Sequence, residues 1–127
     1  MLAEYLDDSN PATGYLIADI PRSNAHDINA AVEAASKARA SWGSLSYEQR
    51  ANYLDKIANI LEQKLESLAL LESRDTGKPL RLSRTVDIPR AISNFRFFAG
   101  AVRHDATECH MMGDALNFTQ RWPVGVA

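Results

Sequence analysis

Cysteine is nearly absent from this 127-residue chain, and Cys109 stands alone. A single thiol excludes an internal disulfide framework and any multi-cysteine zinc site, and it fits a reduced, cytoplasmic protein. Basic excess is missing too. The chain has 14 Lys+Arg against 16 Asp+Glu, a net charge of −2, so no surplus cation is available to release counterions from a nucleic-acid backbone. Long apolar runs are also missing. The longest aliphatic stretch is Leu68-Ala69-Leu70-Leu71, far short of the about 20 residues that span a bilayer. The first eight residues carry Glu4, Asp7 and Asp8 where a secretory signal carries bases. Glycines number only six, and none is spaced as a nucleotide-binding fingerprint.

What remains is the balance of one globular unit, 46% hydrophobic and 24% charged. A chain of this length buries only about two thirds of the surface its unfolded form exposes. If it is a piece of something larger, part of its apolar surface awaits a partner.

Asn10-Pro11-Ala12-Thr13-Gly14 has the residues of a tight turn, with Gly14 free to take positive φ. Tyr15–Ile20, rich in aromatic and β-branched residues, then reads as a short strand, one arm of a hairpin or an edge, stopped by Pro21. Asn24 with Asp27 opens a first helix whose face carries Ile28, Val32 and Ala35. It runs to about Ala40, with Gly43 as the stop. Ser46 and Gln49 form a capping box. Leu54, Ile57, Ala58, Leu61, Leu65 and Leu68 follow at helical spacing, so one continuous second helix is expected up to Gly77. A third helix is expected from Pro79 or Leu80 through Val102, bent or divided at Pro89. Residues 104–114 show no period and read as a loop. Ala115–Arg121 alternates like a strand, and Val124–Ala127 resembles the opening of another.

Few residues bring chemistry of their own. Gly77-Lys78 is no phosphate loop, because Glu72 and Pro79 stand where a Walker pattern needs Gly and Ser/Thr. His104, Glu108, Cys109 and His110 have irregular spacing, and their expected state is a loop without metal. Phe95, Phe97 and Phe98 are read as core or as interface. Arg90, Arg96 and Arg103, six and seven apart, form a loose stripe on one side of the third helix. Such a stripe is ordinarily solvated, but one member gripping a carboxylate is the functional alternative.

Four segments in register carry a resemblance to the aldehyde dehydrogenase superfamily. They are Asn10–Gly14, Glu72-Ser73-Arg74-Asp75-Thr76-Gly77-Lys78-Pro79, Asn94-Phe95-Arg96-Phe97-Phe98-Ala99-Gly100, and Arg121-Trp122-Pro123-Val124-Gly125-Val126. Asp87-Ile88-Pro89-Arg90 leading into Asn94–Ala99, with Thr107-Glu108-Cys109, resembles the 2-aminomuconic and 2-hydroxymuconic semialdehyde dehydrogenase branch. The resemblance implies an α/β fold. This chain would be its N-terminal helical part: about three long helices with short flanking strands, and an incomplete Rossmann-like domain. It implies NAD(P)-dependent oxidation of an aldehyde to a carboxylic acid through a cysteine thiolate, a water-activating glutamate and an oxyanion-holding asparagine. Those three groups and the cofactor-binding residues belong to later parts of the family pattern. No catalytic or cofactor-binding residue is therefore expected in residues 1–127, and Cys109 does not inherit the nucleophile's role. NAD is expected for the full-length family and not for this chain alone. The resemblance makes Arg90 the candidate substrate-binding residue, gripping a semialdehyde's carboxylate, and Asp87 a candidate neighbour of a structural monovalent cation. It makes the strand near Asn117–Arg121, within 115–122, part of an arm that joins subunits into a homo-oligomer. The isolated chain is expected to be inactive. The alternatives are a helical module that docks on full-length subunits, or a fragment with no separate role.

Overall fold

The computed structural model describes residues 4–126. Two small antiparallel ribbons flank a helical layer. Strand β1 (Tyr5–Ser9) pairs with β2 (Leu16–Pro21), with a register shift at Asp8/Ser9. The turn between them is locally encoded. The Asn10 side chain accepts from the Ala12 N–H at 2.9 Å, and Gly14, at φ 75°, donates to Asn10 O at 2.7 Å. The strand expected at Tyr15–Ile20, as an edge or a hairpin arm, is the second arm of this hairpin, displaced by one residue so that Pro21 is its last member. The first arm, β1, is too acidic to read as a strand from its sequence alone.

Helix α1 (Ala25–Gly43) opens on a complete capping box. Asn24 accepts from the His26 and Asp27 amides, and Asp27 accepts from the Asn24 amide. Helix α2 (Tyr47–Gln63) opens on the same device with Ser46 and Gln49. Each box satisfies donors that a helix start leaves orphaned.

The expected continuous second helix is corrected. It breaks at Lys64 (φ −102°, ψ 13°) into α2 and α3 (Leu65–Thr76). The bond from Lys64 N to Ile60 O and that from Leu68 N to Lys64 O both persist, so the apolar period runs through the bend without marking it. The bend sends α2 along α5 while α3 meets the elbow that follows. Gly77 ends α3 in the left-handed conformation, φ 72°, as expected.

The third helix changes its winding just ahead of Pro89 and is not cut there. A three-residue turn, α4 (Leu80–Leu82), passes into a π turn (Ser83–Asp87) and then α5 (Ile88–Arg103). Proline has no N–H, and its ring crowds the carbonyl of residue i−4. The ladder widens instead of stopping, and Ile88 N–H reaches back five residues to Ser83 O.

Residues 104–114, expected as a loop, contain strand β3 (Cys109–Met112). It pairs with β4 (Ala115–Phe118) across Gly113-Asp114. Gly113 takes φ 65°, and no non-glycine residue among those described is left-handed. That combination matches a two-residue hairpin turn with a positive first φ. The strand had no hydrophobic signature because both faces of the ribbon are exposed. The expected strand 115–121 is shorter than its alternation, and Val124–Val126 forms no strand. A strand needs a hydrogen-bonding neighbour, and among the described residues none pairs with this segment. Ala127 lies outside the described residues.

The interior is made of small side chains. Ala51, Ala58, Ala69, Ala99 and Ser83 are fully buried, and Ile92 is nearly so. Large apolar side chains stay at the surface, among them Trp42, Ile57, Phe97, Phe98, Met111 and Trp122. The accessible surface is 10234 Å². A compact monomer of this mass exposes about 6,700 Å². The excess is larger than the area of about 1,200–2,000 Å² that a standard protein interface buries. No described helix is long and apolar enough to cross a membrane.

Candidate substrate-recognition site on the α3–α5 elbow

The three arginines of the stripe part company in the structure. Arg103 lies across the start of α2. Its Nε donates to both Glu48 oxygens at 3.2 and 3.1 Å, and its Nη2 to Asn52 Oδ1 at 2.8 Å and Asp55 Oδ2 at 2.7 Å. Arg96, two turns back along α5, donates to Glu62 and Asn59 near the end of α2. The two helices therefore run antiparallel. The acids of α2 recur every seven residues, at Glu48, Asp55 and Glu62, matching the seven-residue step from Arg96 to Arg103. This spacing was the signal that could have paired the helices from sequence. Arg90 is different. It is exposed on the first turn of α5 and makes no ion pair or side-chain hydrogen bond among the described residues. The structure thus leaves one guanidinium of the stripe available to an external carboxylate.

The pairing shifts titration. Hydrogen bonds from Arg96, and then its charge, hold the Glu62 carboxyl below its ordinary value of 4.5. A lowered folded-state value stabilises the fold above the unfolded value, and the benefit is lost as pH falls through the folded one. The melting temperature of the chain is expected to drop more steeply from about pH 5 to pH 3 than that of Glu62→Gln. Parallel slopes in thermal melts across that range would contradict the pairing.

Beside Arg90 lies an internal ion triad. Lys78 Nζ donates to Glu72 Oε1 at 2.7 Å and to Asp87 Oδ2 at 2.9 Å. The three side chains are 28%, 34% and 32% exposed. Hydrogen bonds to Glu72 first and Asp87 second raise the Lys78 ammonium above its ordinary range, so it stays charged. The Asp87 carboxylate, expected to neighbour a bound cation, here faces a lysine. Sequence reasoning missed the triad, because its partners lie six residues before and nine residues after Lys78 on two different elements.

The remaining candidates do not converge. His110 meets only Glu108, at 3.3 Å. Cys109 is exposed at the start of β3. No group of three or more His, Cys, Asp or Glu able to hold a metal occurs among the described residues. Phe95 is half-buried, while Phe97 and Phe98 stand edge to face at 5.3 Å on the surface. A groove of about 620 Å³ lies away from Arg90, between the end of α1, the start of α2 and residues 121–126. There Arg39 donates to Pro123 O at 3.3 Å, and Arg121 makes a two-pronged contact with Asp105.

The profile of the aldehyde dehydrogenase family matches residues 2–127. The chain belongs to the aldehyde dehydrogenase family. It is 46% identical over 127 residues to a 2-aminomuconic semialdehyde dehydrogenase of Bos taurus, covering 98% of this chain and 26% of that enzyme. Its fold is similar to the NAD+ complex of an aldehyde dehydrogenase from Bacillus cereus. The TM-score is 0.89 and the identity 33%, over 95% of this chain and 25% of that one. It is also similar to PnpE from Pseudomonas sp. WBC-3, with a TM-score of 0.88 and 36% identity over 94% and 25% of the two chains. The chain spans about a quarter of the length of the relatives it matches. The α/β class and the helical layer with short flanking strands agree with the N-terminal part of the family fold.

Proposed function

We propose that this chain is the substrate-recognition layer of an NAD-dependent aldehyde dehydrogenase acting on a muconic-type semialdehyde, and that residues 1–127 form one partial domain inactive by itself. The observation that carries the reading is Arg90. It is exposed and uncommitted on a helix whose other two stripe arginines are both spent on α2 carboxylates. A planar guanidinium takes a carboxylate through two parallel N–H bonds. A substrate bearing an acid group distant from its aldehyde would be held by that end. The 46% identity to a 2-aminomuconic semialdehyde dehydrogenase supports the same substrate class.

In the overall reaction aldehyde, water and NAD+ become carboxylate, NADH and two protons. Bound NAD supplies the hydride acceptor, and the nucleophile and base belong to other parts of the family fold. This segment contributes orientation. The exposed ribbon β3–β4 has an unpaired outer edge on each strand, and the register gathers Met111, Leu116 and Phe118 on one face, with Met112 on the other. Such a ribbon is marginal alone, and pairing with a second subunit through the strand near Asn117–Arg121 would stabilise it. A cytoplasmic location accords with the free thiol of Cys109.

The test is a chimera in which this chain replaces the matching quarter of the bovine enzyme. Arg90→Ala is expected to raise KM for the acidic semialdehyde about tenfold more than KM for an uncharged aldehyde, the size of one charge-assisted contact. Equal changes for both substrates would sink the assignment. The 127-residue chain alone is expected to yield no NADH above the blank. Should it instead co-purify with full-length subunits and alter their turnover, the docking-module reading would replace this one.

A further inference from the structure

The first turn of α5 is held differently from the rest of that helix. Further along, the buried Ile92 and Ala99 and the ion pairs of Arg96 and Arg103 seat the helix on α2 and fix its winding. Before it, the π turn loosens the ladder. The bond from Ile88 N–H to Ser83 O spans five residues, and Pro89 donates nothing. The Ser83 hydroxyl is fully buried without a partner, so the start of the turn has no side-chain tie, and the turn is held to α3 further on, by the exposed pair Arg84–Glu66 and by Asp87 through Lys78. Arg90 sits between these two regimes.

We propose that Lys78 is a positioning residue for Arg90. By strapping Asp87 to α3, it sets the rotational phase of the turn from which Arg90 extends. Asp87 is three residues before Arg90, so the two lie on adjoining positions of one helical face. Lys78 is itself fixed from its backbone. Gly77 N–H bonds to Ser73 O at 3.0 Å, and Ser73 Oγ donates to Lys78 O at 2.7 Å. Gly77 in turn lies under the Pro11 ring of the β1–β2 turn, leaving no room for a Cβ. A chain of contacts therefore runs from Pro11 through Gly77 and Lys78 to Asp87, one helical turn from the recognising guanidinium. Glu72 holds the other side of the Lys78 ammonium, so the strap is anchored in α3 and does not swing with solvent.

The inference rests on the reading of Arg90 given above, and the experiment separates the two. In the chimeric holoenzyme, the measured quantity is the ratio of KM for the uncharged aldehyde to KM for the acidic semialdehyde. Lys78→Met and Asp87→Asn are each expected to lower that ratio about fivefold, because a displaced guanidinium loses its aligned contact. Lys78→Arg, which retains the cation, is expected to restore most of it. The two variants change the local charge in opposite senses. A common direction is therefore geometric, whereas ratios moving in opposite directions would mean a field effect on the substrate and overturn the strap. An unchanged ratio in Asp87→Asn, a near-isosteric replacement, overturns it as well, even if Lys78→Met fails to fold. If Arg90→Ala leaves the ratio intact, the reading of Arg90 falls. If Arg90→Ala collapses the ratio while Lys78→Met and Asp87→Asn do not, only the strap falls.

Discussion

Gly77→Val is expected to be among the most damaging single changes in this chain. Two independent costs fall on one position. Gly77 holds φ 72°, where a side chain costs about 1–2 kcal/mol. An ideal Cβ there would also stand 2.7 Å from Pro11 Cγ and 3.6 Å from Ala12 N. The proline ring cannot swing aside, so the β1–β2 turn must lift from the end of α3. Overpacking of that kind costs about 1–3 kcal/mol. The sum is a large share of the about 5–15 kcal/mol that stabilises a typical domain. Urea unfolding followed by circular dichroism should show a midpoint lowered by about 1 M or more. Adding Pro11→Ala is expected to recover the packing part and leave the dihedral part. A midpoint within error of the parent would mean that the turn does not rest on Gly77.

The second large effect is expected at Ala58. The seam between α2 and α5 is lined by residues without long side chains, Ala51, Ala58 and Ala99, all inaccessible. Leucine at position 58 inserts three carbons where helix backbones approach closely, again about 1–3 kcal/mol. The consequence reaches further than packing. Arg96 and Arg103 reach α2 only while the helices stay close, so the wedge should also uncouple Arg96 from Glu62 and Arg103 from Asp55. A double-mutant cycle on Arg96 and Glu62 is expected to give a measurable coupling in the parent and none in Ala58→Leu. A coupling that survives the wedge would show that the ion pair does not depend on the seam.

These effects also mark what the sequence could reveal. The capping boxes at Asn24/Asp27 and Ser46/Gln49 are legible because donor and acceptor lie within one turn of each other. Gly77 is legible because a left-handed helix end demands a residue without Cβ. The break at Lys64 was hidden, since hydrogen bonds and the leucine period both continue through it. Strand β3 was hidden for a different reason: alternation is visible only when one face of a strand is buried, and here neither is. The arginine stripe was half legible. Its spacing showed a common side, but only the matching acids of α2 show which two members are neutralised internally. Arg90 came into view through family resemblance. It is exposed and makes no ion pair among the described residues, a fact the sequence pattern alone did not reveal.

The widened turn at Ser83–Asp87 has one more consequence. A π turn accommodates a residue beyond what regular α winding needs. Deleting one residue there would let the ladder close as ordinary α winding with the flanking segments in nearly the same rotational phase, because the wider turn is what absorbs the extra residue. The change would stay local to the elbow, and α5 would remain seated on α2. A single-codon deletion would thereby be tolerated at this elbow where the same loss inside α2 or α5 would turn a buried alanine face out of register.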